Sequence, residues 1–224
     1  MNTTFGPYLC KFIIIFFDDI LIYNKSFPEH LEHLQTTFEV LRANQFFLKF
    51  LKCSFATIPQ VKYLGHIVSQ RGVEPVPTKI EAVQQWPTPQ SARALTGFVG
   101  LSGFYRRFIK DYSSISAPLM LLLEKDSFLW NEAADQAFHQ RKDALCRALV
   151  LNFLDFSLPF FVETDASSVG MGAVLSQKNH PIAFFSKPFC SQLLRASTYV
   201  KELAAITTAV KKWWQYLLGH PFTT

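Results

Sequence analysis

Two short apolar runs, residues 12–17 and 20–23, are separated by Asp18-Asp19. Both are rich in Ile, Phe and Tyr and too short for independent helices, so the pattern predicts two strands joined by a tight Asp-Asp turn. Over 30–44 the apolar residues Leu31, Leu34, Phe38 and Leu41 recur at helical spacing. A strand pair is expected around 47–55 and 61–69, with Arg71-Gly72 marking a turn.

Pro75, Pro77, Pro87 and Pro89 punctuate a hinge that carries one short helix over 78–85. A helix over 91–112 places Leu95, Phe98, Leu101, Tyr105 and Phe108 near one face, and another begins after Asn131, a favourable N-cap, and runs to about 149. The last third changes character. Strands are expected over 160–165, 173–177 and 181–186, with a turn over 167–172. A long helix over 198–218 follows, with Tyr199, Leu203, Ile206, Val210, Trp213 and Leu217 on its inner face. Three antiparallel strands and a helix make a module distinct from the first, with the boundary near 149–157.

With 49% hydrophobic and 17% charged residues, the 224-residue chain is no disordered tail and can bury a core. The longest apolar run, 12–17, is far short of the ~20 residues a spanning helix needs, and two aspartates follow it at once. Neither a transmembrane helix nor a signal peptide is therefore expected, nor a membrane partner. Cys10, Cys53, Cys146 and Cys190 form no C-x-x-C pair and have no His at metal-ligand spacing, so four buried thiols in a reducing compartment are expected. The net charge of +5 is mild. Its surplus falls in the middle and last thirds, in clusters such as Arg106-Arg107 with Lys110, and Lys211-Lys212. That distribution is compatible with a polyanionic partner.

Asp18-Asp19 is the sharpest local feature. Adjacent carboxylates between hydrophobic strands call for a neutralising cation, and Mg²⁺ favours a few carboxylates plus phosphate oxygens. Asp also favours turns, so the dipeptide by itself leaves both readings open. Its context is more specific. Phe16-Phe17-Asp18-Asp19-Ile20-Leu21-Ile22-Tyr23 resembles the [Tyr/Phe]-x-Asp-Asp signature of reverse transcriptase palms. In order come His30-Leu31-Glu32-His33-Leu34, Leu51-Lys52-Cys53-Ser54-Phe55, Tyr63-Leu64-Gly65-His66, Trp86-Pro87-x-Pro89, Gly97-Phe98-x-Gly100-Leu101 and Phe104-Tyr105-Arg106-Arg107-Phe108-Ile109. Thr164-Asp165-Ala166-Ser167, Gly172-Ala173-Val174-Leu175, Lys201-Glu202-Leu203 and Tyr216-Leu217-Leu218-Gly219 follow. Across essentially its whole length the chain resembles the polymerase–ribonuclease H section of a gypsy-type LTR retrotransposon Pol polyprotein.

The resemblance implies a mixed α/β (α+β) fold in three parts: a partial reverse transcriptase palm over 1–74, a helical thumb- or connection-like region over 75–149, and a partial ribonuclease H-like domain over 150–224. It implies RNA-directed DNA polymerase and ribonuclease H activities that work through Mg²⁺ (or Mn²⁺) held by carboxylates. Asp18 and Asp19 would be the palm ligands, and Asp165 and Glu202, the latter in the first turn of its helix, the ribonuclease H ligands. Lys52, Gly65 and His66, and the cations Arg106, Arg107 and Lys110, would meet nucleic acid; for the cations a solvated surface is the plain alternative. The implied partners are an RNA–DNA hybrid or primer–template duplex, a deoxynucleoside triphosphate and the remainder of the polyprotein, in a cytoplasmic particle or the nucleus.

In that family the fingers and a first palm strand with a further aspartate precede the segment that opens this chain, and strands carrying a third and a fourth ribonuclease H carboxylate follow the segment that closes it. Each site is therefore expected to be half present, and the polypeptide alone catalytically silent. The alternative is a non-catalytic remnant that binds nucleic acid through a basic helical face.

Overall fold

The computed structural model describes residues 1–55, 60–124 and 127–224. They fall into two compact units, 1–64 and 65–224.

The first unit is built on the hairpin β1 (Ile13–Phe16) and β2 (Asp19–Ile22) and the helix α1 (Phe27–Ala43). In register, Ile13 faces Ile22, Ile15 faces Ile20, and Phe16 faces Asp19. Ile13 and Ile15 point inward with Phe5, Phe12 and Leu41, while Ile14 and Phe16 point out. The turn is one residue earlier than its expected Asp-Asp centre: Phe17 and Asp18 form it, with Phe17 in the left-handed region at φ 52°, and Asp19 opens β2. Ser26 caps α1 by accepting from the Glu29 amide, and Pro28 occupies the first turn. Only Leu41 and Thr37 of α1 are buried, and Leu31 and Phe38 stay exposed. No strand forms over 47–55. The backbone instead closes on itself in a 3₁₀ turn at Phe50–Lys52, with Lys52 N–H donating to Lys49 and Cys53 N–H to Phe50. The strand β3 (Gln60–Tyr63) ends this unit.

The second unit begins with an antiparallel pair, β4 (His66–Ser69) and β5 (Gly72–Pro75). No apolar alternation in the sequence marks β5. It is held from outside the hairpin, where Val73 and Leu151 exchange backbone hydrogen bonds of 2.8 and 2.9 Å. Gly72 makes that crossing possible: its φ is +130°, and a Cβ there would stand 2.1 Å from the Leu151 carbonyl oxygen.

Helices α2 (Pro77–Gln84), α3 (Ala92–Phe104), α4 (Tyr112–Leu121) and α5 (Glu132–Cys146) follow. The continuous helix expected over 91–112 is broken. After α3 the chain tightens into a 3₁₀ turn, Arg106–Phe108, then resets at Asp111 with φ 54°. The tighter winding stacks positions three apart, and both Tyr105 and Phe108 are thereby buried. Their core also holds Val83, Leu95, Phe98, Leu119, Phe138 and Leu145.

The guanidinium of Arg141 is sealed inside this core at 0% exposure. It donates to the Ser116 hydroxyl at 3.0 Å, to the Val99 carbonyl at 3.1 Å and to the Tyr112 hydroxyl. It also lies 4.3 Å from the Tyr112 ring centre and 5.6 Å from that of Phe98. Burial lowers its pKa to about 10.

A four-stranded sheet of order β8-β7-β6-β9 completes the unit, from β6 (Phe160–Ala166), β7 (Gly170–Gln177), β8 (His180–Pro188) and the short parallel β9 (Phe222–Thr223). The helices α6 (Ser191–Leu194), α7 (Thr198–Lys212) and α8 (Trp214–Leu217) lie between β8 and β9 in sequence. Phe160, Val162, Ala173, Leu175 and Ile182 face Ala209, Trp213 and Leu217. The other face, with Phe184, packs toward α4 and the helical core. The stripe of α7 differs from the expected one. Ala205 and Ala209 are buried, Ile206 and Val210 are half-buried, and Tyr199 and Leu203 are exposed. The alanines let the helix axis approach the sheet, and large residues on that line would hold it off. The helix also breaks at Trp213 rather than running to 218.

The cysteines correct the expectation of buried thiols. Cys10, Cys146 and Cys190 are exposed and Cys53 is intermediate, all four free, because they sit at turns and helix ends rather than on core faces. Among the described residues no helix is long and apolar enough to cross a membrane.

Two glycines are expected to respond with opposite signs in thermal or urea denaturation. Gly72→Ala should cost more than about 2 kcal/mol, because backbone must move. Gly100→Ala, on an exposed helical position with open space around it, should stabilise by about 0.5–1 kcal/mol. Arg141→Ala should cost about 3 kcal/mol, since it strands buried acceptors and leaves a void.

Candidate functional site

Asp18 sits at the tip of the β1–β2 hairpin and Asp19 at the first position of β2, both exposed. The register that buries Ile13 and Ile15 forces the next reversal onto Phe17-Asp18, so the carboxylates project beyond the apolar core. Phe17 beside them is 81% exposed. Among the described residues neither carboxylate has an ion-pair partner. The Tyr63 hydroxyl from β3 donates to the Asp19 carbonyl at 3.5 Å, and burial together with Asp19 raises its pKa.

The hairpin is tied to α1 by a network that sequence reading did not single out. Asn24, just past β2, accepts from His30 Nδ1 at 3.0 Å and donates to His33 Nδ1. The His33 ring stacks on Phe12 with centroids 3.9 Å apart. The available signal was the pair of histidines three apart on a helix, which share one face.

Lys52 is exposed at the end of its 3₁₀ turn in the first unit. In the second unit, Gly65 is exposed with φ +75°, and His66 is half-buried. The Tyr105 hydroxyl donates to the Gly65 carbonyl at 2.9 Å. The His66 ring lies among Phe104, Tyr105 and Phe108, at centroid distances of 5.1, 5.8 and 5.5 Å. The backbone angle of Gly65 favours glycine at this position, and a Cβ there would come within 3.1 Å of the Phe104 ring. Arg106, Arg107 and Lys110 flank this aromatic cluster, all exposed and outside any ion pair among the described residues.

Asp165 lies near the end of β6, on the face it shares with Phe161 and Glu163, and is exposed. Glu202 is the fifth residue of α7, half-buried, at the start of the second turn rather than in the first. It lies in line with Ala205 and Ala209, the side of α7 that packs against the sheet. Neither carboxylate has an ion-pair partner among the described residues. Both belong to the second unit, and Asp18 and Asp19 to the first.

Unpaired carboxylates are hard oxygen donors, and in kind they suit a divalent ion such as Mg²⁺. In number they fall short. Among the described residues no group of three or more His, Cys, Asp or Glu side chains is close enough to hold a metal.

Two family models match the chain: "Reverse transcriptase (RNA-dependent DNA polymerase)" over residues 1–68, and "RNase H-like domain found in reverse transcriptase" over residues 130–224. The Retrovirus-related Pol polyprotein from transposon 297 of Drosophila melanogaster is 37% identical over 224 residues, covering 99% of this chain and 21% of that protein. The chain belongs to the gypsy-type retrotransposon Pol family. Another Pol relative, the Transposon Tf2-3 polyprotein of Schizosaccharomyces pombe, is 34% identical over 223 residues, covering 97% of this chain and 17% of the polyprotein. The chain thus spans about a fifth of the length of these Pol relatives. The fold agrees with solved structures of foamy viral protease-reverse transcriptase. One, in complex with RNA/DNA hybrid, has a TM-score of 0.88 at 24% identity over 99% of this chain and 30% of that one. Another, in complex with dsDNA, has a TM-score of 0.82 at 25% identity over 94% and 45%.

Tyr105→Phe removes the hydroxyl that donates to the Gly65 carbonyl and also meets the Val76 backbone. It is expected to cost about 1 kcal/mol in urea denaturation, whereas His66→Ala, which empties a place among three rings, should cost at least twice that.

Proposed function

We propose that this chain supplies parts of two catalytic centres of a retrotransposon Pol protein, one for RNA-directed DNA synthesis and one for cleavage of RNA in an RNA–DNA hybrid. The supporting observation is the hairpin of the first unit, which holds two carboxylates at its tip with no protein cation beside them among the described residues. Within this reading residues 1–74 are palm, 75–149 the thumb- or connection-like section and 150–224 the ribonuclease H-like part. Asp18 and Asp19 are the metal-facing residues of the first centre, Asp165 and Glu202 those of the second. Divalent ions, when bound, would activate the attacking hydroxyl or water and stabilise the departing oxygen.

The chain's own residues position nucleic acid. Arg106, Arg107 and Lys110 present an exposed cationic ridge suited to phosphates, held by the buried Tyr105 and Phe108. Gly65 and His66 lie beside that ridge on the same aromatic cluster, and Lys52 offers a further cation from the first unit. The duplex partner fits the nucleic acids carried by the structurally similar foamy viral proteins. A deoxynucleoside triphosphate is the expected co-substrate. Two carboxylates at each position are too few to fix a two-metal site, so further ligands come from the longer polyprotein.

In a longer Pol segment that includes these residues, Asp18→Asn is expected to lower primer extension at least 100-fold and leave hybrid cleavage in place, and Asp165→Asn to do the reverse. The 224-residue polypeptide alone should do neither with Mg²⁺ or Mn²⁺; Asp18-dependent synthesis by it would overturn the requirement for outside ligands.

The second reading, a remnant that only binds nucleic acid, is favoured by the same cationic ridge. Retention of the 224-residue chain on an RNA–DNA duplex should weaken in the Arg106→Ala/Arg107→Ala/Lys110→Ala variant. The slope of log affinity against log salt should then fall by roughly 0.7–0.9 for each phosphate that the variant no longer neutralises. No retention of the parent chain at low salt would remove that reading.

A further inference from the structure

Helix α4 starts in an unusual way. Asp111 occupies its N-cap position but has a left-handed backbone and makes no side-chain cap bond. The Ser114 and Ile115 amides are satisfied by the Asp111 carbonyl, at 3.0 and 3.2 Å. The Ser113 amide is satisfied from elsewhere: it donates to the Ser186 hydroxyl of β8 at 2.8 Å, across 73 residues of chain. The Asp111 carboxylate is turned toward β7 instead, and its Oδ1 lies 2.8 Å from where a Cβ on Gly172 would stand. Gly172 is the cross-strand neighbour of Ser186 on one side and of Asp165 on the other.

We infer that Asp111–Ser113 and the Ser186–Gly172 row form a latch, with Ser186 serving as the N-cap of α4 in trans and Gly172 as the seat of the Asp111 carboxylate. The latch joins the loop carrying Arg106, Arg107 and Lys110 to the strand row that ends in Asp165. Ser186 and Gly172 are thus positioning residues. Given the function proposed above, nucleic acid held on the cationic ridge meets the Asp165 strand at a fixed offset.

Hydrogen exchange on the 224-residue chain tests the latch without any activity. Ser186→Ala should speed exchange of the Ser113 amide about five- to tenfold relative to the Leu175 amide at the centre of the sheet, the scale set by loss of one helix cap. Ser186→Thr, which keeps the hydroxyl, should restore protection, and Gly172→Ala should mimic Ser186→Ala by displacing Asp111. An unchanged Ser113 rate, or one that rises only in step with Leu175, overturns the latch.

In a longer Pol segment, RNA cut positions measured from the hybrid end should spread in Ser186→Ala and sharpen again in Ser186→Thr, with total cleavage changed less than twofold. Unchanged cut positions overturn the fixed offset. A segment with no cleavage at all counts against the proposed function, and the exchange rates still decide the latch.

Discussion

A guanidinium with no carboxylate partner among the described residues lies at the centre of the helical section, and the layout of the second unit depends on how it is satisfied. Arg141 reaches α3 through the Val99 carbonyl and α4 through Ser116 and Tyr112. Removing an ion from water is costly, and hydroxyls, a carbonyl and two ring faces offset that cost only when all are in place together. Three helices are thereby locked by one side chain. Gly103 belongs to the same arrangement, since a Cβ there would stand 3.0 Å from the Tyr112 hydroxyl. Tyr112 fixed in this way sets where Asp111 and Ser113 lie, and the sheet rests on them.

The two units handle charge in opposite ways. In the second, the buried cation is surrounded by neutral acceptors, and the exposed Arg107 lies over the buried Phe108 ring. In the first, Asp18 and Asp19 stand in solvent at the end of an apolar hairpin.

Much of this was legible in the chain. The β1–β2 strands, α1, α2, α5 and the three-stranded core of the last third follow from apolar periodicity and from caps such as Asn131, which accepts from the Ala134 amide at 2.9 Å. The misplaced features share a physical cause. Whether Phe17-Asp18 or Asp18-Asp19 forms the turn depends on strand register, which the buried Ile13–Ile22 and Ile15–Ile20 pairs decide. The stripe of α7 expected from helical spacing of large apolar residues differs from the buried one, because close approach to the sheet selects Ala205 and Ala209. The break between α3 and α4 comes from Tyr105 and Phe108 both seeking the core, a tertiary demand that overrides local helix preference. Of the candidate site, the carboxylates and the basic ridge were visible as residue types. Asp111, Gly172 and Arg141 matter through partners distant in sequence, and Asn24 through histidines six and nine residues along.

The trans cap also bears on the order in which the second unit folds. A helix of ten residues with an unsatisfied first turn is marginal in water. The donor it lacks a partner for is met only after a 73-residue loop has closed and β8 has paired with β7. Closing such a loop loses entropy before any interaction returns it, so the completed first turn of α4 belongs late on the folding path. The helical section and the sheet therefore mature as one cooperative step, although the chain makes the helices first.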